Sequence, residues 1–517
     1  MLFRQKYSLL PESTIFGPLG SLGSLSYKSR FYFFLVLITT FRFIFSGWFD
    51  LSLDEGYYWM WGKHPDLSYY DHPPMVAYLI ALTTIMSDGE SWVRLGVVLS
   101  STAVTWIIYL LASDIFNDRR IGLASAILFN VVPIYSIGTL LITPDAPLCL
   151  FWALSLYFGY QIFNTKKGGY WYALGAVFGL GMLSKYNMAL FVPAILVFLL
   201  VSRENRYWLF RKDPYLAFIL SILIFSPVIF WNATHDWVSL SFQLSHGFDP
   251  NRSTALENFS EFWVGQIGLF GLFLFFFLLA GSISIGWIGY KNKRDVFVYL
   301  SVMSLSLVIF FIVNSLRTRM EGNWSVIMFL AAVIITPGWI SIIVAEIRSL
   351  WGNALTYSYK LSIFISGVIV IYAHIQIINP VLPMPDQVKH EMSKRIYGWS
   401  KLGKEVDNIL SLMDPDTFIL ANRYQITGLL SYYTSNNTAT YMTDGEKRFG
   451  YLGSVEHLLG KDALYVTVKR RNDIKRIEPF FGKVTSLDSL IIKRQGVIIY
   501  EFLFYKLKNY KGHLIKI

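Results

Sequence analysis

Before about residue 380 the apolar residues of this chain gather in continuous runs of roughly 15–25, long enough to cross a bilayer core of about 30 Å. The runs are continuous rather than alternating, which excludes a porin-type barrel. Charged residues make up 15% and hydrophobic ones 54% of the 517 residues. Soluble domains carry about a quarter charged residues, so a soluble enzyme is excluded too. The fold class is therefore a polytopic α-helical membrane protein. Spans are expected at about 31–48, 93–113, 121–138, 146–163, 171–183, 187–201, 214–231, 264–288, 296–314, 324–345 and 361–378, or about eleven transmembrane helices.

No small-residue cleavage site follows the first run, so it reads as a retained span behind a cytoplasmic N-terminal segment, residues 1–30. Alternating the spans from that start puts Arg119, Arg120, Lys166, Lys167, Lys291, Lys293, Arg294 and Lys360, among others, inside. Fewer fall outside: Lys63, Arg94, Lys185, Arg252, Arg317 and Arg319. The bias follows the positive-inside rule and accounts for the net charge of +11 without a nucleic-acid partner. Arg42 falls within the first span and has to snorkel outward or face a polar cavity. Cys149 is the single cysteine, so no intrachain disulfide forms.

The same alternation divides the chain into a transmembrane domain, 31–379, and an extracytoplasmic domain, 380–517. The first outer loop, 49–92, is half apolar, and its MVAYLIALTTIM follows two prolines and is too short to span, which suits an interfacial helix. The last domain mixes a helical stretch, GWSKLGKEVDNILSLM, with strand-like DTFILAN, DALYVTV, SLIIKR and GVIIYEFLFYKL, as in a small α/β domain. It holds 21 of the 45 Lys and Arg residues, which favours an anionic surface or glycolipid nearby.

Acids collect at the outer ends of the spans: Asp54 and Glu55 in LDEGYYWMW, Asp71 in YYDHPP, Asp145 in LITPD. Each alone reads about as well as a solvated loop acid. Together, near apolar walls, they suit proton abstraction or metal binding. Arg94, Lys185 in the short turn LSKYN, Arg317 and Arg319 share that face. Interfacial snorkelling explains any one of them, whereas convergence beside the acids points to a phosphate held next to a general base.

The ordered set DEGYYW, YYDHPP, an Arg some twenty residues on, TPD and LSKY resembles the lipid-linked-sugar glycosyltransferases of the GT-C superfamily. The resemblance is strongest to the family 39/83 group, which includes protein O-mannosyltransferases, lipid A aminoarabinose transferases and rhizobial galacturonosyl transferases. WNATHDWVSLSFQLSHGF, RTRMEGNW, YGWSKLGKEV and ILANRYQITGLLSYYT extend it over nearly the whole chain. It implies a GT-C-like fold with Asp54 as the catalytic acid and Asp71 at the acid of a Tyr-(acid)-x-Pro-Pro motif, Glu55 being a further catalytic candidate. His72 stands where the aminoarabinose transferases have Lys. Lys185 and Arg319, with Arg94 and Arg317, are the donor-phosphate candidates. Asp145, Tyr57, His72, Tyr186, Glu321, Asn323 and Trp324 are the substrate-contact candidates. His246, with Asp71, is a metal candidate; a divalent metal is left open, and no cofactor is otherwise implied.

The chemistry also follows from the residues. A polyprenyl-phosphate sugar is already activated, because cations can neutralise its departing phosphate. One carboxylate then suffices as base for a single displacement onto an acceptor hydroxyl. The chain lacks a P-loop or Rossmann glycine pattern, consistent with a donor that is not a nucleotide. These expectations describe a multi-pass enzyme of a bacterial inner membrane whose site faces the periplasm. Its donor is a polyprenyl-phosphate-linked sugar and its acceptor lipid A, lipopolysaccharide core, another glycan or a protein. A lipid or glycan transporter, a non-catalytic envelope assembly protein and an oligosaccharide ligase or polymerase stay open as alternatives.

Overall fold

A computed structural model describes residues 26–248, 254–347, 350–381, 392–435, 438–443 and 445–515; the expected N-terminal segment lies largely outside them. Seven helices among these residues are long and apolar enough to cross a membrane: Leu95–Phe116, Asp145–Thr165, Lys212–Thr234, Leu274–Lys291, Asp295–Ser315, Leu330–Ile347 and Leu350–Ile378. The chain is thus a multi-span membrane protein, but the count of eleven is not established. The other four expected spans form helices that are shorter or carry charge. Tyr27–Phe45 contains Lys28, Arg30 and Arg42, while Gly169–Met182 and Phe191–Val201 have 14 and 11 residues.

The fourth, 121–138, divides because Pro133 lacks an amide proton and forces Val132 into an extended conformation. Two helices result, Arg119–Val131 and Pro133–Gly138. The expected span 264–288 also divides, into Ala255–Leu269 and Leu274–Lys291, around Gly271 at a φ of +91°. Lys360, expected in an inner connection, lies within Leu350–Ile378.

The connection after the first helix folds into Leu53–Lys63, Met75–Thr83 and Glu90–Val93. A capping box starts Leu53–Lys63, with Glu55 reaching back to the Ser52 amide. Met75–Thr83 buries Val76, Ala77 and Ile80, while Leu82, Ile85 and Met86 at its end are exposed.

The C-terminal region forms a six-stranded mixed sheet: β1 Phe418–Ala421, β2 Thr440–Met442, β3 Ala463–Val468, β4 Phe481–Ser486, β5 Leu490–Arg494 and β6 Val497–Tyr510. The order is β2-β1-β3-β6-β4, with β5 on β6 as well. β1 runs parallel to β2 and β3, and β6 antiparallel to β3, β4 and β5. The four strand-like stretches of the sequence correspond to β1, β3, β5 and β6. Helix Trp399–Leu410 matches the expected helical stretch.

One hydrophobic cluster joins this sheet to the first connection. It takes Tyr57, Trp61, Tyr69 and Val76 together with Ile419, Leu429, Phe502 and Trp399. Packing of this kind holds helix Tyr424–Tyr433 against Leu53–Lys63, and so brings residues far apart in sequence to one wall.

Candidate active site

Where that wall meets the helical bundle there is a cavity of roughly 1290 Å³. Its lining includes the apolar side chains of Val97, Val104, Phe129, Phe310, Phe311 and Ile369. It also collects Asp54, Asp71, Asp145, Lys185, Glu321, Arg395 and Arg448 with Tyr57, Tyr58, His72, Tyr186, Asn323, Trp324, Tyr424 and Gln425. Arg42 is buried against helix Leu95–Phe116, where it donates to Ser101, a lining residue, at 3.3 Å. It does not snorkel.

The three lining aspartates are held differently. Asp145 opens helix Asp145–Thr165, where a first-turn acid complements the helix dipole. Its carboxylate takes the Lys185 ammonium at 2.7 Å on one oxygen and the Asn323 amide at 2.6 Å on the other. Lys185 is buried in the turn before Tyr186–Leu190, so its charge stays at the cavity. An ammonium has three donors, and the pair leaves others to meet an anion.

Asp71 is clamped harder. Arg448 reaches both its oxygens, and Tyr57 donates to Oδ2 at 2.9 Å. Burial pushes the Asp71 carboxyl above its ordinary value, while Arg448 and Tyr57 pull it back. Burial opposes the charge of Arg448, but the Asp71 carboxylate prevails and holds the guanidinium above its usual range. Tyr424 and Tyr70 flank that guanidinium, 4.4 and 4.8 Å from their ring centres.

Asp54 is held most loosely. Gln425 donates to it at 3.2 Å, Tyr424 at 3.3 Å, and Arg395 approaches at 3.3 Å. With its side chain 31% exposed, it is the most open of the three acids in these pairs; the others are at 13%.

Glu55 and Arg94, expected as catalytic acid and phosphate ligand, are brought together but not to the cavity lining. Successive helix positions diverge by about 100°, so Glu55 turns inward where Asp54 turns to the cavity. Arg94 grips Glu55 with two bonds, 2.9 and 2.7 Å, and both side chains are fully buried. Arg94 also donates to the carbonyls of Phe49 and Asp50, and Glu55 accepts the Ile142 amide at 2.7 Å. Every group is occupied in fixing the first connection against residue 142, away from the cavity lining.

Arg317 and Arg319 are likewise placed away from the lining. Both are exposed and neither lines the cavity; Arg319 pairs with Glu261 at 2.6 Å. Tyr57, His72, Asp145, Tyr186, Glu321, Asn323 and Trp324 do line it. His246 lies in helix Val238–Phe248, but its side chain falls outside the described residues. Among those residues, no group of three or more His, Cys, Asp or Glu side chains could hold a metal.

Sequence reasoning assigned no role to Arg395, Tyr424, Gln425 or Arg448. Tyr424 and Gln425 stand within the quoted motif ILANRYQITGLLSYYT, which was a locating signal without a chemical one. Arg448 had no such signal, because it meets Asp71 across 377 positions.

Comparison with known proteins agrees with this architecture. The family model of dolichyl-phosphate-mannose-protein mannosyltransferases matches residues 71–231. The lipid A galacturonosyltransferase RgtD of Rhizobium johnstonii is 24% identical over 394 residues, 74% of this chain and 78% of that protein. The undecaprenyl phosphate-alpha-4-amino-4-deoxy-L-arabinose arabinosyl transferase of Serratia proteamaculans is 27% identical over 44% of this chain and 42% of its own. Among solved structures, ArnT from Cupriavidus metallidurans bound to undecaprenyl phosphate superposes with a TM-score of 0.62. That match covers 93% of this chain and 98% of the other at 13% identity, which shows a common fold.

Proposed function

We infer that this chain, a membrane glycosyltransferase of the GT-C superfamily, moves a sugar from a polyprenyl-phosphate donor to an envelope acceptor such as lipid A. The observation that carries this is one cavity with two characters. Its apolar lining suits a polyprenyl chain, and the same cavity is lined by an open carboxylate, Asp54, and a buried cation, Lys185.

In the reaction proposed, the acceptor hydroxyl oxygen bonds to the anomeric carbon as the bond from that carbon to the phosphate oxygen breaks. Asp54 takes the hydroxyl proton, and polyprenyl phosphate leaves with its charge facing Lys185. The looseness of Asp54 supports its choice as base, since its pair with Arg395 is longer and more exposed than the pairs that hold Asp71 and Asp145. Tyr424 and Gln425 orient it, and Arg448 with Tyr57 fixes Asp71 for substrate contact.

The charge asymmetry supports a bacterial inner-membrane location with the cavity and the domain 380–517 on the periplasmic side. A reporter active only outside the cytoplasm, fused behind β6, tests that orientation and is inactive if it is reversed. The function is tested by mass spectrometry of envelope glycolipids from cells with and without the gene. A glycolipid that loses one sugar mass in the deletion supports the reading, and an unchanged envelope contradicts it.

A further inference from the structure

The carboxyl ends of parallel strands are where α/β sheets bind ligands. Here β1 and β3 run parallel, with Ala421 opposite Val466, so both end on the same edge. Arg423 follows β1, and Lys469, Arg470 and Arg471 follow β3. Asn422 donates to the Arg471 carbonyl at 2.9 Å, which ties the two ends together.

β6 supplies the third side. Val468 pairs with Phe502 at the end of the ladder, and Tyr500, two residues before Phe502, lies within reach of the Arg470, Arg423 and Arg395 charges. Tyr500 donates to the Lys394 carbonyl at 3.0 Å, and the Lys394 ammonium sits 5.4 Å from its ring. The next residue, Arg395, reaches Asp54. A line of cations therefore runs from the strand ends to the cavity.

Two nearby carboxylates are engaged elsewhere: Glu501 pairs with Lys469 at 2.9 Å, and Asp473 takes hydrogen bonds from Asn422 and Tyr465. Lys394, Arg423, Arg470 and Arg471 form no ion pair among the described residues. Burial and then the Arg471 and Arg470 charges hold Arg423 below its ordinary value, and burial and Arg470 do the same to Lys394. Like charges gathered without counterions oppose folding, yet they favour an incoming anion. Guanidinium groups match phosphate oxygens in a two-bond geometry.

We propose that Lys394, Arg423, Arg470 and Arg471 form an acceptor subsite that takes a phosphate on the glycan headgroup of an anionic glycolipid. The inference rests on the transferase reading and deepens it. Held there, the headgroup lies along the path that Arg395 continues to Asp54, so a hydroxyl of the same glycan can reach the base.

The test is binding of bisphosphorylated lipid A, and of the same lipid A after phosphatase treatment, to the purified full chain in neutral detergent. Removing the phosphates should weaken wild-type binding about tenfold, the scale of losing hydrogen bonds to a charged group. The double variant Arg423→Gln/Arg470→Gln should bind both forms alike, at the weakened level. Lys483→Gln/Lys508→Gln, an exposed pair on β4 and β6, removes equal charge and should keep the wild-type preference. The subsite is overturned if wild type binds both forms equally, if the Arg423/Arg470 variant keeps the preference, or if the control loses it equally. A variant that keeps the preference but loses a dependence of turnover on phosphatidylglycerol in nanodiscs would assign the cluster to the bilayer surface, also overturning it. Phosphate-selective binding without any sugar transfer would support the subsite and overturn the transferase reading.

Discussion

Gly56, on the helix that carries Asp54, meets Gly428, on the helix that carries Tyr424 and Gln425, backbone against backbone. A Cβ on Gly428 would lie 2.5 Å from the Tyr57 amide nitrogen, and one on Gly56 2.8 Å from that of Leu429. Contact this close sets how far Tyr424 and Gln425 stand from Asp54. The sheet region thus completes the site rather than decorating it.

Gly428→Ala should accordingly separate the two helices, at a cost of about 1–3 kcal/mol typical of overpacking, and reduce transfer. Gly367→Ala, in a helix with nothing near its Cβ position, should be neutral or slightly stabilising. Thermal unfolding of both purified variants checks this, and equal melting temperatures would refute the close-packing account.

Removing one partner of the buried Glu55–Arg94 pair leaves the other charge uncompensated. Arg94→Gln should cost about 3–5 kcal/mol in stability, as breaking buried pairs does. Donor KM of whatever protein folds should remain that of wild type. A stable Arg94→Gln enzyme with a raised donor KM would return Arg94 to the phosphate site.

Much of this was legible beforehand because bilayer-length apolar runs and strand-like stretches are local signals. The acids Asp54, Asp71 and Asp145 were visible for the same reason, each in a compact motif at a span end. Two kinds of information were not local. Whether Glu55 faces cavity or core depends on one helical step; its capping bond to the Ser52 amide is local, but Arg94 and the Ile142 amide, which bury it, are distant in sequence. Arg448 and Arg395 enter the site through tertiary docking, which no spacing encodes. The span count is not established, and Pro133 and Gly271 break helices within apolar runs in ways that hydropathy alone does not show.

Lys185→Met keeps the apolar stem and deletes the charge beside Asp145. Transfer rate against lipid-donor concentration should show a raised KM and a lowered kcat, since phosphate is bound in ground and transition states alike. Arg319→Met, which loses only an exposed pair with Glu261, should be close to wild type. The reverse ranking would move the donor phosphate to the Arg319 side.

Burial raises the Asp71 carboxyl and Arg448 restrains the rise. If ionised Asp71 is required, activity is full above its folded-state value and falls as pH drops through it. Deleting the restraining charge raises that value further. Arg448→Gln should therefore shift the acid limb of the normalised pH–rate profile to higher pH. A limb that stays put or moves to lower pH would remove Asp71 from the titration.

The central claim is that Asp54 accepts the acceptor proton. Asp54→Asn preserves shape and removes basicity, and its measurement is sugar transfer from a polyprenyl-phosphate donor by purified, folded protein. Transfer should fall by about a hundredfold or more, as expected on losing a general base. Near-wild-type transfer by a well-folded Asp54→Asn enzyme would contradict the account and pass the role to Asp71 or Asp145.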